Sequence, residues 1–100
     1  MKTGARPSVL ARELGEIFAA VSGAEEMAVF LEGMLTPSEL EEVMCRWRLM
    51  LKLEAGETQR EIARSLGISL GKISRGSRLL KYGSTEFAEI LAGIRGRLDQ

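Results

Sequence analysis

Residues 58–81 read TQREIARSLGISLGKISRGSRLLK, and this stretch decides the fold. Thr58 and Glu61 stand three residues apart, which is the capping-box pattern at the start of a helix. Gly67 follows shortly afterwards and can adopt the left-handed conformation that ends a helix. The first half of the stretch therefore predicts a short, well-bounded helix.

The second half predicts another helix directly after the turn. Ser69 is a capping residue, and Ile68 and Ile73 flank it at the positions of a hydrophobic staple. Small and basic side chains occupy the opposite face at helical spacing: Gly71, Ser74, Arg75 and Arg78. Two short helices joined by a glycine turn predict a helix-turn-helix that reads DNA. Residues 58–81 are called the reading head below.

Charge is distributed unevenly along a chain whose formal net charge is zero. The reading head carries six basic side chains and one acidic side chain, a net charge of +5. Residues 1–57 carry a net charge of −4, and residues 82–100 carry −1. Basic charge concentrated on one element is the electrostatic footprint of a nucleic-acid contact. The alternative is a solvated basic helix face, which the adjoining caps and turn make less favourable.

The rest of the chain has helical periodicity throughout. It predicts an all-α protein of six short helices, the four outside the head being 8–22, 25–35, 38–55 and 85–98. Ser8 is the expected cap of the first helix, which is expected to stop near Gly23.

Three further helix boundaries are marked in the sequence. Residues 36–39, Thr-Pro-Ser-Glu, form a strong start signal with a capping threonine, a proline at the first helical position and a glutamate at the third. Gly56 is expected to end that third helix. Gly83 and Ser84 are expected to separate the reading head from the last helix.

Composition excludes several classes of protein. One cysteine and no histidine exclude zinc fingers, disulfide scaffolds and histidine-based catalysis. No paired carboxylates, phosphate-binding glycine loop or activated cysteine can be built, so an enzyme is not expected. Cys45 is expected to be a small buried residue, and no metal site is expected. No long apolar run or signal peptide is present, which predicts a soluble cytoplasmic protein.

Apolar stripes on at least five helices exceed what one small domain can bury. We therefore expect a homodimer in which residues 8–55 and 85–98 form the dimerisation core of a single all-helical domain spanning 1–100. Two-fold symmetry would place two reading helices about one DNA turn, roughly 34 Å, apart. A compact monomer with an apolar surface is the alternative.

Several motifs occur together within residues 33–83: Leu35-Thr36-Pro37, Arg46 and Arg48, Gly56-Glu57, Gln59-Arg60-Glu61, and above all Ile73-Ser74-Arg75-Gly76-Ser77 with Leu80-Lys81. With these motifs, the segment closely resembles the tryptophan repressor family. The resemblance implies an intertwined homodimer that represses transcription by binding operator DNA when L-tryptophan, the corepressor, fills a pocket between the long helix and the reading helix.

The resemblance also implies a set of effector residues. Arg46 and Arg75 match the two arginines that enclose the indole ring, with Gly76 beside it. Arg75 would also hold the ligand carboxylate. Thr36 would lie nearby, and the carbonyls around Gly33 and Leu35 would receive the ammonium group.

Some residues depart from the family pattern. Leu79 replaces a serine that faces the ligand ammonium group, and Lys72 replaces a threonine. The turn at residues 56–58 is also one residue shorter. Because of these departures, a second possibility stays open: the chain belongs to a related branch of repressor-like proteins that have a different effector or no effector.

The predicted DNA contacts belong to the two helices of the reading head. They are Gln59, Arg60, Ser69, Leu70, Gly71, Lys72, Ser74, Arg78 and Lys81. A helix-turn-helix that binds a protein instead of DNA is the remaining alternative.

Overall fold

The computed structural model describes residues 4, 6–82 and 85–100. These ranges contain helices and no strand, which confirms the predicted all-α class. The helices are α1 (Pro7–Ala20), α2 (Gly23–Met34), α3 (Pro37–Glu54), α4 (Gln59–Leu66), α5 (Leu70–Tyr82) and α6 (Thr85–Leu98). The break expected at Gly83 and Ser84 lies outside the described residues.

The chain divides into two compact units, Met1–Leu40 and Glu41–Gln100. In the first unit, the rings of Phe18 and Phe30 meet edge to face, with centroids 5.8 Å apart and an interplanar angle of 84°. This is a favoured geometry for aromatic pairs. Even so, neither α1 nor α2 contains a buried residue.

The expected start of α1 is wrong. Ser8 does not cap the helix, because α1 begins at Pro7, and Arg6 occupies the N-cap position with extended backbone and no side-chain cap bond. Proline is suited to the first helical position, since its fixed φ is already helical and it has no N–H to satisfy.

Helix α1 ends two residues before the expected end. Gly23 does not stop the helix, because α1 ends at Ala20 and Gly23 opens α2 with a φ of +78°. The backbone N–H of Ser22 donates a 2.6 Å hydrogen bond to the Glu26 carboxylate. An acidic side chain in the first turn satisfies an otherwise free N–H there.

The start of α3 has the predicted capping box. The Thr36 N–H donates to the Glu39 carboxylate at 2.9 Å, and the Glu39 N–H donates to Thr36 Oγ1 at 3.1 Å. The Thr36 backbone bond is the main reason that the pKa of Glu39 lies below its usual value. Gly56 follows the other end of the helix with a φ of +86°, as expected of a glycine stop.

The core of the second unit joins α3, α4 and α5. Leu49 is 4% exposed, and Ile62 and Ile73 are 0% exposed. Partly buried apolar side chains surround these three: Leu53, Ala63, Leu66 and Ile68. The core therefore holds both helices of the reading head against the long helix.

Helix α6 belongs to the same unit. Its Leu91 is 2% exposed, and Arg95 Nη1 lies 3.2 Å from Glu54 Oε1 at the end of α3. Over the described ranges, none of the helices combines the length and apolar character needed to cross a membrane.

Candidate nucleic-acid interface

Local hydrogen bonds define the first helix of the reading head. The Glu61 N–H donates to Thr58 Oγ1 at 3.2 Å, and the Thr58 N–H donates to the Glu61 carboxylate at 2.9 Å. The Thr58 backbone bond is the main reason that the pKa of Glu61 is lowered. Gly67 ends the helix in the left-handed region at φ 66°. The capping box and the glycine stop predicted here are both confirmed.

Ser69 starts the second helix of the head as predicted. Its Oγ accepts the Lys72 N–H at 3.1 Å. Ile73 then points into the core, so the residues at other angles around α5 face outward. The structure leaves all the predicted DNA contacts exposed: Gln59, Arg60, Ser69, Leu70, Gly71, Lys72, Ser74, Arg78 and Lys81. Their contact with DNA stays a prediction, which this exposure supports.

A small cavity of about 100 Å³ lies between α3 and α5. It brings together three of the six predicted effector residues, Arg46, Arg75 and Gly76. The remaining lining residues are Glu42, Cys45, Leu49, Met50, Lys72 and Leu79. The cavity thus combines two guanidinium groups, one ammonium and one carboxylate with apolar walls.

The other three predicted effector residues belong to the first compact unit. Gly33 is exposed near the end of α2, and Leu35 is half-buried just after it. Thr36 is exposed, and its hydroxyl oxygen already accepts the Glu39 N–H in the α3 cap.

Glu42 is a cavity residue that the sequence reasoning missed. Its Oε1 lies 3.6 Å from Lys72 Nζ. Glu42 precedes Arg46 by four residues and therefore shares its face of α3, a spacing that would have identified it. Cys45 was expected to be buried, but it is half-exposed at the cavity wall.

Gly76 packs where α5 meets α3. It is buried, and a Cβ added there would lie 2.8 Å from Leu49 Cδ2 and 3.3 Å from Leu49 Cγ. Leu49 itself is only 4% exposed and cannot easily move away. Glycine at this position therefore permits close helix packing, in addition to forming part of the cavity wall.

Gly76→Ala should destabilise the protein even though alanine favours helix. The propensity gain of about 1 kcal/mol is opposed by an overpacking cost of about 1–3 kcal/mol. Gly71→Ala is the matched control, since its nearest neighbour would be Ser69 Oγ at 3.9 Å. That variant should gain up to about 1 kcal/mol. Urea unfolding at one protein concentration would compare them, and equal stabilisation of both variants would contradict the expected clash.

A second, more apolar concavity runs between α3 and α6. It measures about 240 Å³ and is called the α3–α6 groove here. Its lining residues are Val43, Arg46, Trp47, Met50, Phe87, Ile90, Leu91 and Ile94. Val43 and Ile90 are 56% and 57% exposed, so the groove presents apolar surface to solvent.

Comparison with known proteins identifies the family. The family model described as Trp repressor protein matches residues 12–94. A Trp operon repressor homolog of Photobacterium profundum is 36% identical over 73 residues, covering 72% of this chain and 71% of that protein. A homolog of Xylella fastidiosa is 36% identical over 67 residues, covering 66% of this chain and 73% of that protein.

A third relative, the Trp operon repressor homolog of Chlamydia trachomatis serovar D, is 43% identical over 58 residues, covering 57% of this chain and 62% of that protein. No solved structure gives a significant match. The family match extends over most of the six helices, and this extent establishes the family of the chain. The chain belongs to the Trp repressor family, a family of DNA-binding transcriptional repressors rather than enzymes.

Proposed function

We propose that this protein represses transcription by binding a specific operator through α4 and α5. The observation that carries the proposal is the division of the reading head into two faces. Ile62 and Ile73 are fully buried, whereas every predicted DNA contact is exposed. The same segment carries a net charge of +5, which suits a surface that approaches phosphates.

The exposed residues divide into two roles. Arg60, in the first turn of α4, can form two hydrogen bonds to guanine, a contact worth about 1–3 kcal/mol of discrimination. Lys81, in the last turn of α5, can position the head on a phosphate without reading sequence. Both side chains are exposed and available for such contacts.

Comparing Arg60→Ala with Lys81→Ala tests this proposal. The operator is first selected from random duplexes with the wild-type protein, and affinities are then measured for it and for single-base variants. Arg60→Ala should lose about 1–3 kcal/mol of discrimination at one base pair. Lys81→Ala should weaken all duplexes by a similar factor. Unchanged base preference in Arg60→Ala would place sequence reading elsewhere on the head.

L-Tryptophan is the proposed corepressor, and the α3–α5 cavity is its proposed site. A guanidinium can stack on an aromatic ring and also pair with a carboxylate, and Arg46 and Arg75 both line the cavity. The free volume of about 100 Å³ is small, since small-molecule pockets typically measure about 300–1,000 Å³. Binding must therefore displace side chains, and Leu79, 55% exposed, is free to move.

Bound tryptophan would hold α5 in one position for DNA. The helix has low intrinsic propensity at Gly71 and Gly76, since glycine costs about 1 kcal/mol relative to alanine in a helix interior, although close packing on Leu49 offsets this cost at Gly76. An occupant wedged behind α5 stabilises its ordered state and strengthens DNA binding by the difference in affinity for the two states.

DNA affinity measured with and without saturating L-tryptophan tests the corepressor. We expect about 5–150-fold tighter binding with tryptophan, and calorimetry should show DNA tightening tryptophan binding by the same factor. Absence of any response would favour the alternative branch, in which the effector is another molecule or is absent. The DNA-binding proposal would survive that result.

The functional unit is proposed to be a homodimer. The absence of buried residues in α1 and α2 and the exposed α3–α6 groove both leave apolar surface for a second copy. Two-fold symmetry would present two reading helices about 34 Å apart. Such a repressor would bind its operators in the cytoplasm, and this location stays a prediction.

A further inference from the structure

Lys72 occupies an unfavourable position in α5. It is the third residue of the helix, and the first turn contains no acidic side chain. The N-terminus of a helix carries partial positive charge, so a cation in the first turn is repelled and an anion is attracted. Glu42 of α3 supplies the missing anion, with its Oε1 3.6 Å from Lys72 Nζ.

The same lysine is one of the proposed DNA contacts. A lysine ammonium paired with a carboxylate attracts a phosphate less, because the carboxylate neutralises its charge. Glu42 also places negative charge beside the surface that phosphates must approach. We propose that the Glu42–Lys72 ion pair is an autoinhibitory contact, which must open before Lys72 can bind a DNA phosphate. This proposal rests on the proposed function.

The pair is suited to opening. The side chains of Lys72 and Glu42 are 47% and 66% exposed, and exposed pairs of this kind contribute at most about 1 kcal/mol. DNA can therefore displace Glu42 at a modest cost. Removing Glu42 should tighten DNA binding by up to about fivefold for each head, which is about 1 kcal/mol converted at 1.4 kcal/mol per tenfold.

The contact also borders the α3–α5 cavity. Glu42 and Lys72 both line it, together with Arg46 and Arg75. A molecule that enters the cavity meets both partners of the pair. Binding of a molecule in the cavity therefore changes how strongly Lys72 can attract a DNA phosphate.

Glu42→Gln, compared with Glu41→Gln, tests the proposal. Glu41 is an exposed neighbour on α3 that forms no ion pair with any described residue, so its variant removes the same charge without breaking the contact. Affinity for a fluorescein-labelled generic duplex is measured without effector over a range of salt concentrations. Melting temperatures are recorded for each variant.

We expect Glu42→Gln to bind the duplex more tightly than Glu41→Gln, by up to about fivefold per head. This advantage should shrink as the salt concentration rises, because salt screens an exposed ion pair. In a Lys72→Gln background, Glu42→Gln should bind no more tightly than Glu41→Gln.

Three outcomes overturn the proposal. Equal affinities of the two glutamine variants would show that Glu42 acts only through its charge. A lowered melting temperature of Glu42→Gln with unchanged affinity would make the pair purely structural. Failure of the wild-type protein to bind any duplex, with or without L-tryptophan, would remove the proposed function as well, whereas the first two results leave DNA binding intact.

Discussion

Raising the salt concentration from about 50 mM to about 200 mM should weaken DNA binding by at least about 10³-fold. Besides the base-reading Arg60, each protomer presents three exposed basic side chains among its predicted contacts: Lys72, Arg78 and Lys81. The proposed homodimer therefore presents six such side chains to phosphates. About 6–10 neutralised phosphates produce a loss of this size, because each phosphate contact releases condensed counterions.

A matched pair of variants locates the charge responsible for this loss. Lys81→Gln should make the salt dependence shallower by about 0.9 for each protomer, since one phosphate contact is removed. Arg97→Gln removes an exposed charge from the last turn of α6, outside the reading head, and should leave the slope unchanged. A helix-turn-helix that binds a protein partner would show no such DNA binding, and equal slopes for both variants would contradict the assigned surface.

Dilution should unfold the protein if the apolar surfaces are shared between two chains. A thousandfold dilution, from about 100 µM to about 0.1 µM, should lower the apparent free energy of unfolding by about 4 kcal/mol, because folding and association form one equilibrium. Circular dichroism melts over this range provide the measurement. A monomer mass from light scattering at micromolar concentration, with full helicity, would contradict the homodimer.

Substitutions in α6 distinguish the α3–α6 groove from the remaining surface. Ile90→Glu places a charge in the groove, where Ile90 is 57% exposed. Burying that charge against a second copy would be costly. The Ile90→Glu dimer should therefore dissociate at protein concentrations at which the wild-type dimer persists. Ala92→Glu is the control, since Ala92 is exposed on the same helix and does not line the groove. Equal dissociation of both variants would place the interface elsewhere.

The reading head could be predicted because its boundaries depend on neighbouring residues. Thr58 and Glu61 satisfy each other's backbone N–H groups within a single turn. Gly67 needs only its own φ of 66° to end the helix. Such local signals require no knowledge of where the other helices pack.

The start of α1 shows how two local signals can compete. Ser8 and Pro7 both suit the beginning of a helix, as a cap and as a first residue respectively. The helix begins at Pro7 and uses no side-chain cap. A capping residue in the sequence therefore does not by itself decide which position becomes the cap.

The cavity could be predicted only in part, because its composition depends on how α3 packs against α5. Glu42 and Lys72 are thirty positions apart in the sequence, and their 3.6 Å ion pair exists only once the helices have packed. Gly76 likewise could be identified as small, but the clash that an added Cβ would make with Leu49 follows from the packing. The family resemblance predicted that Arg46 and Arg75 belong to the effector site, whereas the position of the Glu42 carboxylate beside Lys72 was seen only in the structure.

The separation of the two faces of α5 affects how the proposed DNA preference of this protein can change. Ile73 anchors the helix from the inside, while Ser74 and Arg78 contribute little to the core because they are exposed. Exposed substitutions away from core contacts usually change stability by less than about 0.5 kcal/mol. New operators can accordingly be acquired one outward residue at a time, without refolding the scaffold, and a library randomised at the exposed positions of α5 should yield many folded proteins with altered DNA preference.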